Sequence, residues 1–333
     1  MKTYEISEFL PCRETKYTLI FAYGHEDRVF PGIRRYLEKF QITRVIAFDH
    51  QLKIDFPKEK NSAYIEEHDM NKVSIKEYLN EKKIECIDIE IGEDIGDDIT
   101  KRLPKLLNKN NKILFDITGF FRHQIIMLSR SLDHKKPLFL YTSGELQRHE
   151  QLENDYLTMI SQRIEILSGF RGYTKVELAD LVVLVLGYEG NRSLSFLEKY
   201  PGESIIGVVC TPRTDDKMDK FYRDSVIKSN RLLLDSPRVN LYPENLPGYD
   251  PIAFSEELEN ALIKFGLNLD VNGDKYNICI SPLSTKLSAL GLYFFWKKHN
   301  QIQILHSAPM TRFFLSKGVG FSLVVEFYKS DGR

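Results

Sequence analysis

The chain lacks the devices that hold secreted, metal-stapled and membrane-embedded proteins together. It has four cysteines, Cys12, Cys86, Cys210 and Cys279, and no two share a short spacing. That excludes a disulfide framework and points to a reducing compartment. The eight histidines show no zinc spacing with those cysteines, so no metal is expected. No apolar run approaches the roughly 18 residues needed to span a bilayer. The first residues, Met1-Lys-Thr-Tyr-Glu-Ile-Ser-Glu, lack the apolar core of a signal peptide. A cytoplasmic protein with no membrane partner is expected. An excess of one charge is also absent: 46 Lys and Arg stand against 47 Asp and Glu. That argues against a globally basic nucleic-acid binder. Neither a GxGxxG fingerprint nor a Gly-rich P-loop occurs. A standard NAD-dehydrogenase reading is rejected, and no cofactor is expected.

What the chain does contain is a repeat. Near the start it reads Thr18-Leu-Ile-Phe-Ala-Tyr-Gly24-His-Glu26-Asp-Arg28, then a helical pattern. Near the middle it reads Leu181-Val-Val-Leu-Val-Leu-Gly187-Tyr-Glu189-Gly-Asn-Arg192, then another helical pattern. Downstream of each comes a second apolar run ending in small polar residues and a cation. These are Ile113-Leu-Phe-Asp116-Ile-Thr118-Gly119-Phe-Phe-Arg122 and Ile278-Cys-Ile-Ser281-Pro-Leu-Ser284-Thr285-Lys286. Continuous apolar runs of strand length suit strands buried on both faces, as in a parallel sheet covered by helices. Strands and helices alternate along both halves. The pattern predicts an α/β chain of two tandem Rossmann-like, doubly wound, mostly parallel sheets related by internal duplication. The expected boundaries are 1–150 for the first domain, 151–172 for a charged connector, and 173–333 for the second domain. Within the second, Val239–Tyr242 reads as a strand, and the surrounding stretch Ser236–Pro251, with four prolines and Gly248, reads as a loop-rich insertion of the kind that sits over a binding cleft or simply on the surface. The run 318–328 reads as a last strand added antiparallel to the same half.

Ligands in such folds bind outside the carboxyl ends of the strands, where the strand order reverses. Four polar loops fall there. Gly after a buried strand allows a sharp turn; a following carboxylate can accept from a ribose hydroxyl, and an arginine can clamp a phosphate. Gly24, Glu26 and Arg28 form one such loop, and Gly187, Tyr188, Glu189 and Arg192 its twin. Thr118 and Gly119, with Asp116 before them and Arg122 after, open a helix and offer N–H groups to an anion. Ser281, Ser284, Thr285 and Lys286 do the same in the second half. The bland alternative is local: Glu26 pairs with Arg28, and Ser284 and Thr285 merely cap a helix. The second half has the cleaner chemistry, because bulky Phe120 and Phe121 occupy the matching loop of the first. The principal pocket is therefore expected at Gly187, Tyr188, Glu189, Arg192, Arg213, Ser281, Ser284, Thr285 and Lys286, with the first-half residues secondary. Gly24 and Gly187, and likewise Arg122 and Lys286, should be equivalent positions. Cys210, at the end of a strand-like run, is a weak nucleophile candidate, since no histidine neighbours it.

A strand, a Thr-Gly or Ser-rich turn, a cation and a helix of small residues together resemble the ligand loop of CRISPR-associated Rossmann-fold (CARF-type) sensors. Two such units in one chain resemble the pseudo-dimeric SAVED-type sensors of prokaryotic antiviral defence. The matching residues are Thr118-Gly119 with Arg122, and Ser284-Thr285-Lys286; the family's double glycine is missing from both. The resemblance implies a cytosolic sensor for a nucleotide or other phosphorylated small molecule, with a protein partner encoded nearby. An alternative is a nucleotide-processing enzyme that hydrolyses an N-glycosidic or phosphoester bond with Glu26, Glu189 or Asp116 as general base. A third is a protein-partner scaffold with an exposed apolar patch at Phe120-Phe121 or Phe313-Phe314.

Overall fold

A computed structural model describes residues 2–50, 58–92, 97–107, 110–144, 161–188, 190–200, 203–211, 216–269, 275–309 and 318–327. The chain divides into two compact units. Unit 1 comprises Met1–His149 and Phe313–Arg333; unit 2 is Glu150–Arg312.

Unit 1 runs β1 (Lys2–Glu5), β2 (Tyr17–Tyr23), α1 (Val29–Lys39), β3 (Ile42–His50), α2 (Lys58–Glu81), β4 (Glu85–Ile91), α3 (Asp97–Leu106), β5 (Lys112–Asp116), α4 (Arg122–Leu132) and β6 (Leu138–Thr142). It closes with β13 (Ser322–Glu326). Unit 2 runs β7 (Ser161–Ile166), β8 (Ala179–Leu186), α5 (Gly190–Lys199), β9 (Ser204–Thr211), α6 (Asp216–Ser229), α7 (Arg231–Leu234) and β10 (Val239–Pro247). It continues through α8 (Pro251–Lys264), β11 (Tyr276–Pro282), α9 (Lys286–Lys298) and β12 (Gln303–Pro309).

The first sheet has the order β1-β13-β6-β5-β2-β3-β4 and the second β10-β9-β8-β11-β12-β7. Numbering the parallel strands of each unit by sequence, both sheets read 3-2-1-4-5. Each adds an antiparallel neighbour beside its fifth strand: β13 on β6, and β7 on β12. These are two Rossmann-like sheets of one topology, and the expected fold class is what the chain adopts.

The first strand of each unit is interior. Every residue of β2 is buried. Its alternate residues Leu19, Phe21 and Tyr23 meet Val29, Ile33 and Tyr36 of α1 and Ile75 and Leu79 of α2 in one apolar cluster. In unit 2, Val182, Leu184 and Leu186 of β8 meet Phe196 of α5, Val226 of α6 and Leu233 of α7. A helix face of period 3.6 set on a strand face of period 2 is what the hydrophobic pattern encodes. Burying each such Leu, Val or Phe contributes about 1.5–3 kcal/mol.

Three expectations are corrected. The last strand belongs to unit 1, not to the second half. β13 lies between β1 and β6, pairing antiparallel with both, because its Val324 completes the first core. The stretch 151–172 is not wholly a connector, since Ser161–Ile166 is the edge strand β7. The strand read over Val239–Tyr242 runs on through the prolines that were expected to form a loop. Val239–Pro247 is the third parallel strand of the second sheet, with an irregularity between Leu241 and Asn245. It is an edge strand, and an edge accommodates prolines because one side needs no N–H partner.

Candidate functional site

In both units the strand order reverses between the first and fourth strands, and the two loops leaving that point touch. A Cβ built on Gly24 would stand 2.9 Å from the Cα of Gly119, and one on Gly119 would stand 2.0 Å from the carbonyl oxygen of Ala22. In unit 2 a Cβ on Gly187 would stand 2.5 Å from the Leu283 oxygen and 3.0 Å from the Ser284 Cα. Glycine is required at these contacts because backbone lies where a side chain would begin. The repeated glycine is thus first of all a packing device.

A second shared device was invisible in the sequence. Asn71 of α2 donates its amide to the carbonyl of Gly24 at 2.8 Å and to that of Glu26 at 3.0 Å. Asn230, between α6 and α7, donates to the carbonyl of Gly187 at 2.8 Å. Each asparagine comes from the crossover joining the second and third strands. Each is buried and satisfies a turn carbonyl that the sheet leaves unpaired.

The repeated arginines also face inward. Arg28 is buried and donates to Glu26 at 2.7 Å, with its guanidinium 5.6 Å from the ring centroid of Tyr141. Burial works against its charge, and Glu26, Tyr141, Asp27 and Asp116 together more than offset that. Arg192 is buried and donates to the carbonyl of Ser307 and, at 3.3 Å, to its hydroxyl. Tyr141 and Ser307 both lie on fifth strands. Each arginine therefore ties the first turn to the fifth parallel strand of its own sheet.

The fourth-strand loops differ. In unit 1, Asp116 is fully buried and accepts from the Thr118 N–H at 3.0 Å and the Thr118 hydroxyl at 2.5 Å. The Thr118 oxygen in turn accepts from the Thr142 N–H at 2.9 Å. Phe120 and Phe121 are interior, so the exposed apolar patch expected there does not exist; Phe313-Phe314 lies outside the described residues. Arg122 opens α4, where the Gln124 side chain accepts from the Phe121 N–H at 3.0 Å.

In unit 2, Ser281 and Ser284 are buried. Thr285 caps α9, accepting from the Ser288 N–H at 3.0 Å and donating to the Gly248 carbonyl at 2.9 Å. Lys286 takes the first helical position and is partly exposed, as are Thr285 and Tyr188. Cys210 is buried at the end of β9, and burial pushes its thiol up, which removes it as a nucleophile. Glu189 and Arg213 lie outside the described residues.

Arg122 and Lys286 each begin the helix after a fourth strand. Counted from the glycine contacts, however, the first loop is one residue longer, and Lys286 falls opposite Phe121.

At the second-strand end of unit 1 stands a cluster that the sequence reading missed. Asp49 faces the Nε2 of His68 at 3.3 Å and pairs with Lys72. Burial alone would raise the Asp49 carboxyl, but His68 and Lys72 bring it down to about 2. His68, Asn71 and Lys72 fall on one helical face by spacing. No sequence spacing marks the cluster, because Asp49 lies at the end of β3 while His68 and Lys72 lie on α2, which begins at Lys58.

No protein-family model matches the chain. No curated protein matches it. Among solved structures it is similar to a type III CRISPR defence DNA nuclease activated by cyclic oligoadenylate, at 9% identity and TM-score 0.49; the match covers 84% of this chain and 64% of that one. The cytoplasmic domain of a prokaryotic cation chloride cotransporter matches at 12% identity and TM-score 0.26, over 87% of this chain and 94% of that one. An N-terminal ketoreductase from the macrolactin assembly line matches at 10% identity and TM-score 0.24, over 91% and 72%. The chain thus spans less than two thirds of the length of the nuclease, and likenesses at these scores assign it to none of these families. No described helix is long and apolar enough to cross a membrane.

Proposed function

We propose that the chain is a binding protein, a sensor, for a nucleotide or other phosphorylated small molecule, taken up at the switch point of unit 2. The observation that carries this is the start of α9. There Lys286 stands, partly exposed, at the first position of a thirteen-residue helix, beside the Ser284 and Thr285 hydroxyls. A helix N-terminus with a cation and hydroxyls beside it favours an anion, and this fold places ligands at that point. The same reading treats the units as products of an internal duplication. The loop resemblance to CARF-type sensors makes cyclic oligonucleotides of prokaryotic antiviral defence the first ligands to test.

Sensing is favoured over hydrolysis because both described candidate bases already serve the fold. Glu26 holds Arg28, and Asp116 holds Thr118. The test is a thermal-shift panel of ATP, NAD and cyclic oligonucleotides, with products followed by chromatography. A ligand at about a hundred times its Kd stabilises by roughly 2.7 kcal/mol, and Lys286→Met should abolish that shift. No shift with any of these probes at millimolar concentration, or steady product formation, refutes the reading.

A further inference from the structure

We infer that only one of the two units takes ligand, so that one molecule binds per chain, and that unit 1 is a copy closed by its own side chains. The inference rests on the proposed function for its ligand and on the geometry of each unit taken by itself.

The place where the second and fourth strands of unit 1 end is filled. The ring of His50 stacks on Phe121 with centroids 4.5 Å apart and planes 28° apart. His123 lies on from Phe121 at 6.0 Å and 25°. His50 Nε2 also lies 3.3 Å from the carbonyl of Gly119, the residue that touches Gly24. The three rings are at most 7% exposed. Beside them, the Asp49 carboxylate, which the sheet places at the end of its second strand, is spanned by His68 and Lys72. A second-strand carboxylate in this fold accepts from a ribose hydroxyl; here one of its oxygens faces the His68 ring and the other pairs with Lys72 of the same unit.

Among the described residues, unit 2 has none of these rings at the corresponding places. Tyr23 stands opposite Asp49 in register, and Leu186 opposite Val209. Counting on from those pairs, Cys210 replaces His50. Counting from the glycine contacts, Lys286 replaces Phe121. A small thiol and a partly exposed lysine thus stand where unit 1 has two stacked rings. Residues 117–121 of unit 1 are all buried, whereas Thr285 and Lys286 are not. A ligand entering unit 1 would have to displace three buried rings and break the Asp49 cluster.

The decisive experiment is a calorimetric titration of the full chain with ATP, NAD and cyclic oligonucleotides. The expected result is one equivalent per chain, weakened at least tenfold by Lys286→Met and unchanged by Lys72→Met. Two equivalents, or binding lost in Lys72→Met and kept in Lys286→Met, overturns the inference. If none of the probes binds, the proposed function fails, and closure is judged without ligand. Native protein is treated with diethyl pyrocarbonate and mapped by mass spectrometry. Closure predicts that His50, His68 and His123 stay unmodified while exposed His134 reacts; reaction of the three at the rate of His134 refutes it.

Discussion

Two asparagines, at positions 71 and 230, show how little of a site a sequence pattern need disclose. Their partners Gly24 and Gly187 were legible, because glycine after an apolar run is a turn signal. The asparagines were not, since each lies more than forty positions along the chain from its glycine and no local periodicity marks it. Both amides serve buried turn carbonyls. Asn71→Ala and Asn230→Ala should each cost about 1–3 kcal/mol, the penalty of an orphaned buried acceptor, as measured by urea unfolding. Asp49 gives a second residue-level prediction. Its folded pKa, about 2, lies below the unfolded value near 3.9. The stabilisation is therefore complete above about pH 4 and drains away as the pH falls toward 2. It is on the order of 2 kcal/mol. Asp49→Asn should lower stability at pH 7 and flatten the loss between pH 5 and pH 2. An unchanged acid limb in that variant would show that Asp49 does not set it.

Strands buried on both faces are fully legible in the sequence, and those at sheet edges only in part. β2 and β8 announce themselves as unbroken apolar runs, whereas β7, with the sequence SQRIEI, alternates with charge and resembles a connector. β10 is legible only as far as Tyr242, because composition marks prolines but does not say which side of a strand lacks a partner. The β2–β5 contact makes a strict demand on its own elements. At Gly119 an added Cβ would fall 2.0 Å from the Ala22 oxygen, a backbone atom of the central strand that cannot swing aside. Gly119→Ala should force the two strand ends apart and cost roughly 1–3 kcal/mol, the range for overpacking. Gly266→Ala is the control: there φ is 76° but nothing lies within 4 Å, so the cost should be the smaller one of conformation alone. Equal midpoint shifts in denaturant would refute the packing account.

At the scale of the molecule, the alternation of strands and helices was enough to give two sheets, but not to assign every strand to its sheet. Val324 carries no sign of which core it joins; only the pairing of β13 with β1 and β6 decides it. Unit 2 is one continuous stretch, Glu150–Arg312, with its own apolar cluster. A fragment of those residues should fold alone, as a domain with its own core can, and give a cooperative thermal transition. A fragment ending at His149 should not, because β1 then has no partner and β6 loses one of its two neighbours. Circular dichroism of the two fragments checks both statements, and a cooperatively folded 1–149 would contradict the role given to β13.

Placing β13 after unit 2 has a consequence for biosynthesis. A ribosome delivers β1 through β6 long before it reaches Ser322–Glu326. At about 5–20 residues per second, the nascent first sheet waits some tens of seconds with β6 unpaired along one side. Meanwhile the unit made later receives all of its strands in one uninterrupted stretch. Order of translation and order of completion are thus reversed: the second-made unit can finish first. The waiting edge of β6 is the surface that a chaperone, or a neighbouring nascent chain on the same message, would meet.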